Sequence, residues 1–137
     1  MSDTVEIYAG KPSIDNMPHV LEAVERYFTE RRVAEGDRAK LLVAVDELYS
    51  NLCVHSGAQN VEIRCGLSEC HAGILLVDNG IPFNPLEQEK PDVTLPVGER
   101  VPGGLGIYLV RKTMDKISYE YIEGKNFLTV VKKIALK

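Results

Sequence analysis

What this chain does without narrows its function before any motif is considered. It has no block of lysines and arginines: 16 basic residues against 20 acidic ones leave a formal net charge of −4. A surface of that sign does not track a phosphate backbone, so nucleic acid is not expected as a direct partner. No run approaches the ~18 consecutive apolar residues of a membrane span, and residues 1–10 have neither the basic start nor the apolar stretch of a secretory leader. The expected location is the cytoplasm, with no membrane partner. Cysteine is scarce: Cys53, Cys65 and Cys70 are three residues without a CxxC pair, which fits reduced thiols rather than a disulfide framework. Cys65, Cys70 and His71 straddle an expected hairpin turn and are discounted as a zinc site. There is no internal repeat and no linker. What is present, 137 residues at 45% hydrophobic and 26% charged, describes one ordinary globular domain over residues 1–137.

Periodicity divides that domain into elements. Residues 4–9 alternate as a strand, with Val5 and Ile7 on one face and Glu6 and Tyr8 on the other. Over residues 16–34, Val20, Ala23, Val24, Tyr27 and Phe28 recur at helical spacing, and Gly36 supplies a stop. A second helix over residues 37–55 carries the stripe Leu41, Val45, Leu48 and Leu52, and Gly57 follows it. Strands are predicted at 60–67, 71–77, 116–122 and 126–134, and a helix at 107–114. The segment between Pro85 and Gly103 has four prolines among charges and no period, which predicts a long functional loop. Glu123-Gly124-Lys125-Asn126 is a hairpin connection. The order β-α-α-β-β-loop-α-β-β predicts an α+β two-layer sandwich, helices on one face of a mixed, mostly antiparallel sheet.

Three groups of residues could carry chemistry. Glu47, Asn51 and His55 are spaced by four and line one helix face, roughly 100° around from Leu48 and Leu52 at 3.6 residues per turn. An amide oxygen can bind a hydrated Mg²⁺ and a carboxylate can take a proton from a hydroxyl. A solvated polar face has the same composition. Asp78-Asn79-Gly80-Ile81-Pro82-Phe83-Asn84-Pro85 follows an apolar strand; a carboxylate at a strand end can accept from the exocyclic amine of adenine, and Gly80 permits close approach. Plain turn chemistry accounts for this segment equally. Gly103-Gly104-Leu105-Gly106 opens a helix, where backbone N–H groups can meet phosphate oxygens. It has neither Walker A nor Rossmann spacing, and a simple helix-entry glycine cluster is the alternative.

The three occur in one order on the predicted elements, and in this the sequence resembles the GHKL (Bergerat-fold) ATPase superfamily. Glu47-Leu48-Tyr49-Ser50-Asn51 is similar to its N box, Asp78 through Pro85 to its G1 box, residues 86–102 to its ATP lid and Gly104-Leu105-Gly106 to its G2 box. The resemblance covers residues 5–134 and is nearest to the stand-alone anti-sigma-factor serine/threonine kinases, through the Asn51-to-His55 run, the Asp-x-Gly-x-Pro-Phe G1 form and the Gly-Leu-Gly-Ile G2 form. It implies Glu47 as the general base for an acceptor hydroxyl, Asn51 as the Mg²⁺ ligand, and Asp78 with Gly80 as the adenine-reading pair. His55 and Phe83 would belong to the nucleotide site. Gly104, Leu105 and Gly106 would bring backbone to the phosphates, Arg100 would be the lid cation at the γ-phosphate, and Thr129 would sit near adenine.

The activity so implied is γ-phosphoryl transfer from ATP, with Mg²⁺, to a serine or threonine of a STAS-type anti-anti-sigma protein. Binding of a sigma factor and a homodimeric state accompany it in such kinases, which act in bacterial transcription regulation. Two other functions stand beside it: an ATP- or ADP-gated binding switch without phosphotransfer, and an interaction protein with a vestigial pocket. Phosphotransfer separates the first two, and Mg-ATP binding separates both from the third.

Overall fold

The two periods of the sequence become five strands and three helices in a computed structural model, which describes residues 4–87 and 104–135, the latter with backbone alone at 104 and 105. Strand β1 (Thr4–Gly10) leads to helices α1 (Met17–Glu30) and α2 (Glu35–His55). Strands β2 (Val61–Leu67) and β3 (His71–Asp78) follow, then α3 (Gly104–Thr113), β4 (Lys116–Ile122) and β5 (Lys125–Lys133). Short 3₁₀ turns occupy Ile14–Asn16 and Pro85–Glu87.

The strands lie in the order β1-β2-β3-β5-β4. The expected mixed sheet is corrected here: among the described residues all four pairings are antiparallel. The reason is topological. The connection through α3 leaves β4 running in the direction of β3, but the hairpin partner β5 lies between them, so the two strands of like direction never pair.

Alternation decides which residues reach the helices. On β3, Ala72, Ile74, Leu76 and Asp78 face the helical layer, and on β5 Asn126, Leu128, Val130 and Lys132 do so opposite them. In β1 the expected alternation fails. A bulge between Glu6 and Tyr8 shifts the register, placing Tyr8 opposite Ile63 and edge-on to Tyr49, because one extra residue in a strand reverses which face its successors meet. The Tyr49 hydroxyl donates to Ser13 O and accepts from Ser13 N, each at 3.0 Å, and so ties α2 to the turn before α1.

Helix α2 sits at the centre of the core. Leu41, Ala44, Val45, Leu48, Tyr49 and Leu52 are all buried on it, packed against Val20, Val24 and Phe28 of α1 and against the sheet. Glu35 and Asp37 in its first turn favour the positive end of the helix dipole. At its end Ser56 Oγ donates to Leu52 O, and Gly57 turns the chain away at a φ of +64°, where glycine escapes the steric cost borne by other residues. Among the described residues no helix is long and apolar enough to cross a membrane.

Position on α2 therefore sets mutational cost. Leu48→Ala, at a site 2% exposed, is expected to lose about 2–5 kcal/mol in urea denaturation. Val43→Ala, at a site 53% exposed on the same helix, is expected to stay within about 0.5 kcal/mol of wild type.

Candidate functional site

The polar stripe of α2 is graded in burial, with Glu47 half-buried, Asn51 buried and His55 exposed. Asn51 is only 8% exposed, and its Nδ2 donates to Glu47 O at 3.0 Å and to Glu47 Oε1 at 2.9 Å. Both contacts require a donor, so they fix the amide with its oxygen turned the other way. Asn51 Oδ1 then has no hydrogen-bond partner among the described residues. One turn on, the His55 ring stacks on Phe83, with centroids 4.9 Å apart and planes 23° from parallel. The stripe thus joins the end of α2 to the segment after β3.

That segment is held close to α2 by glycine. A Cβ at Gly80 would lie 2.2 Å from Ser56 O, a backbone atom that cannot step aside, and Ile81 N donates to that same oxygen at 2.8 Å. Asn79, passed over in the sequence, accepts through Oδ1 from Gln59 N at 2.9 Å and Asn60 N at 3.0 Å, fixing the loop between α2 and β2.

Asp78 is 6% exposed at the end of β3. Its Oδ1 accepts from Gly80 N at 2.9 Å and from Asn126 Nδ2 at 3.0 Å, and its Oδ2 has no partner among the described residues. A buried carboxylate with one satisfied and one unpaired oxygen is suited to a ligand that supplies an N–H. Asn51, Asp78, Phe83, Tyr119, Asn126 and Leu128 line a cavity of ≈ 20 Å³, room for about one water molecule.

Gly106 places α3 directly over the polar pair of α2: a Cβ there would fall 2.0 Å from the Glu47 carboxyl carbon. The opening turn of α3, where backbone N–H groups lack intrahelical acceptors, therefore starts beside that carboxylate, with Gly104 as its first residue.

Of the residues expected at the site, Glu47, Asn51, His55, Asp78, Gly80, Phe83 and Gly106 come together. Arg100 and most of segment 86–102 lie outside the described residues, as does the side chain of Leu105. Thr129 is not brought to Asp78. Its neighbours Leu128 and Val130 face the helices, so Thr129 faces the other side of the sheet, in a groove with Thr4, Gly73, Leu75 and Val131. Leu128, one residue earlier, occupies the cavity wall instead. Tyr119 and Asn126 were missed. The pairing of β3 with β5 brings Asn126 in, since it stands directly opposite Asp78 and shares its face. Burial foremost holds the Tyr119 phenol above its usual pKa, with the Asp78 carboxylate adding to the rise against a backbone hydrogen bond at Phe83. It is a protonated donor at neutral pH, and its OH bonds Asn126 Oδ1.

Comparison with known proteins shows the family of the chain. The profile of the family described as "Histidine kinase-like ATPase domain" matches residues 11–132. The chain is similar to the "Serine-protein kinase RsbW" of Bacillus mycoides (strain KBAB4), 30% identical over 102 residues, covering 69% of this chain and 64% of that protein. The protein of the same name from Bacillus thuringiensis (strain Al Hakam) is 31% identical with the same coverage. The chain thus spans just under two thirds of the length of these relatives. Its fold matches a crystal structure of the RsbU and RsbW domains of a Mycobacterium tuberculosis protein at a TM-score of 0.68 and 12% identity, covering 97% of this chain and 33% of the other.

The two close-packed glycines separate fold from chemistry. Gly80→Ala pushes against backbone and is expected to cost about 1–3 kcal/mol of stability by thermal or urea unfolding. Gly106→Ala meets the flexible end of the Glu47 side chain, so its cost is expected to stay near that of one lost hydrogen bond, about 0.5–1.5 kcal/mol. A crystal structure of that variant should show the Glu47–Asn51 side-chain bond broken.

Proposed function

Because the chain belongs to the histidine kinase-like ATPase domain family, we propose that it is an ATP-binding protein serine/threonine kinase of the anti-sigma-factor type. The observation that carries this reading is the Glu47–Asn51 pair: the Asn51 amide nitrogen donates to the Glu47 carboxylate, which Gly106 closely approaches, while the amide oxygen has no partner among the described residues. Asp78 lies in a cavity that Asn51 also lines. A vestigial pocket has no need to keep a partly buried carboxylate against a glycine while leaving a neighbouring carbonyl oxygen unpaired.

The donor set fits Mg-ATP. Asn51 Oδ1 is a hard oxygen of the kind Mg²⁺ accepts, and Asp78 Oδ2 accepts a hydrogen bond from an amino group but opposes a ring carbonyl. When bound, Mg-ATP supplies the transferable phosphoryl group and the cation that offsets its charge. Glu47 takes the proton of the acceptor hydroxyl, and its bond to Asn51 orients it for that task. In this reading the first-turn amides of α3, from Gly104 to Gly106, donate to the phosphate oxygens. Residues 86–102, with Arg100, form the lid in this reading, excluding water from the reacting groups. His55 and Phe83 brace the base end of the site. The acceptor is a serine or threonine of a STAS-type anti-anti-sigma protein, and the second partner is a sigma factor. The names of the Bacillus relatives support a serine-protein kinase.

The test is transfer of labelled γ-phosphate from Mg-ATP to STAS-domain proteins of the source organism. Wild type should label a serine or threonine, Glu47→Gln should lower the rate at least ~100-fold while retaining nucleotide binding, and Asn51→Ala should lose Mg²⁺-dependent binding. Binding of Mg-ATP with no labelling of the cognate partner would move the assignment to a nucleotide-gated switch.

A further inference from the structure

Asn126 has no part in the reading above, yet its side chain makes more hydrogen bonds than any other in the site. It is 3% exposed. Its Nδ2 donates to Asp78 Oδ1 at 3.0 Å and to Ile81 O at 2.8 Å. Its Oδ1 accepts from Phe83 N at 3.1 Å and from the Tyr119 hydroxyl. A carboxamide has two donor hydrogens and two acceptor sites, so the group is saturated and has nothing left for a ligand. It is also locked, because turning it over would set nitrogen against two donors and oxygen against two acceptors.

We propose that Asn126 is a positioning residue for nucleotide recognition, fixing Asp78 with Oδ1 occupied and Oδ2 presented to the amino group of the base. This deepens the nucleotide-binding reading and rests on it. Three elements converge on the one amide. From β3 comes the carboxylate, from β4 the Tyr119 hydroxyl, and from the segment after β3 both Ile81 O and Phe83 N. Since Phe83 also lines the cavity, the amide that orients the carboxylate anchors the wall beside it. Without the Asn126 donor, Asp78 is free to rotate either oxygen toward the base or toward Gly80 N.

A substitution of the same shape isolates this role. Asn126→Asp replaces the donor to Asp78 by an oxygen and sets two carboxyl groups together, a pair that binds a shared proton far more readily than either group alone. Asp78 and Tyr119 are the titratable groups nearest the amide. His55 stacks on Phe83 and Glu87 acts on Tyr119, so each pH is compared with wild type. The experiment is calorimetric titration with Mg-ATP of wild type, Asn126→Asp and Tyr119→Phe between pH 5 and pH 8, with circular dichroism as the check on folding.

At pH 8 Asn126→Asp should bind at least ~10-fold more weakly than wild type, the loss of one charge-assisted hydrogen bond. Toward pH 5 the shared proton restores a donor to Asp78, and the deficit should shrink to within about 3-fold. Tyr119→Phe should bind about 3-fold more weakly at every pH, without recovery. A merely structural role lowers the folded circular dichroism signal together with affinity. Wild-type affinity for folded Asn126→Asp, or an equal deficit at pH 5 and pH 8, overturns the proposal. If Asn126→Asp fails to fold, unchanged affinity in Tyr119→Phe overturns it and the ~3-fold loss upholds it. Absence of Mg-ATP binding by wild type would overturn the nucleotide reading itself, whereas normal wild-type binding with insensitive variants removes the Asn126 assignment alone.

Discussion

A carboxylate buried at the end of a strand imposes the strictest condition on this structure. Removing a charge from water costs several kcal/mol unless donors replace the solvent, and Asp78 is 6% exposed. The backbone supplies one donor from Gly80 and the neighbouring strand supplies the other from Asn126. Each has its own requirement. Gly80 must lack a side chain because Ser56 O lies where a Cβ would go. Asn126 must face the helices, which the β4–β5 hairpin ensures by turning through Glu123 and Gly124 at positive φ. The end of α2, the segment after β3 and the hairpin are thereby fixed to one another through a single side chain.

Helix α2 meets a second constraint by dividing its circumference. Leu41, Val45, Leu48 and Leu52 anchor it in the core, so its neighbouring face can hold polar groups without loss of the helix. On that face Asn51 gives up both hydrogens to Glu47, which leaves an acceptor unpaired. Such a group weakens folding and is retained where a ligand completes it. Asn51 Oδ1 and Asp78 Oδ2, both without a partner among the described residues, belong to side chains that line one cavity.

Much of this was legible in the sequence because long amphipathic elements declare themselves. The stripe on α2 and the alternation of β2, with Val61, Ile63 and Cys65 buried, follow from period alone. The order of the three polar segments was equally readable, since Glu47, Asp78 and Gly106 stand at helix or strand positions set by that period. Three things were not. The bulge in β1 has no local signature in Glu6-Ile7-Tyr8, because it depends on pairing with β2. Thr129 was carried over by resemblance, although the apolar positions of β5 on either side of it already assign it to the opposite face. Asn126 read as a turn residue, because Asn is common in turns and its contact with Asp78 spans 48 positions. Only strand register connects residues so far apart.

In the proposed function Asp78 selects a nucleobase by accepting from its amino group. Mg-ATP and Mg-ITP differ at that point, since hypoxanthine carries a carbonyl where adenine carries an amine, so their calorimetric affinities for wild type and Asp78→Asn test the claim directly. Wild type should prefer Mg-ATP by at least ~10-fold, the value of one charge-assisted hydrogen bond. Asp78→Asn should lose most of that preference. Equal affinity of wild type for the two nucleotides, or a preference that survives in Asp78→Asn, would contradict it.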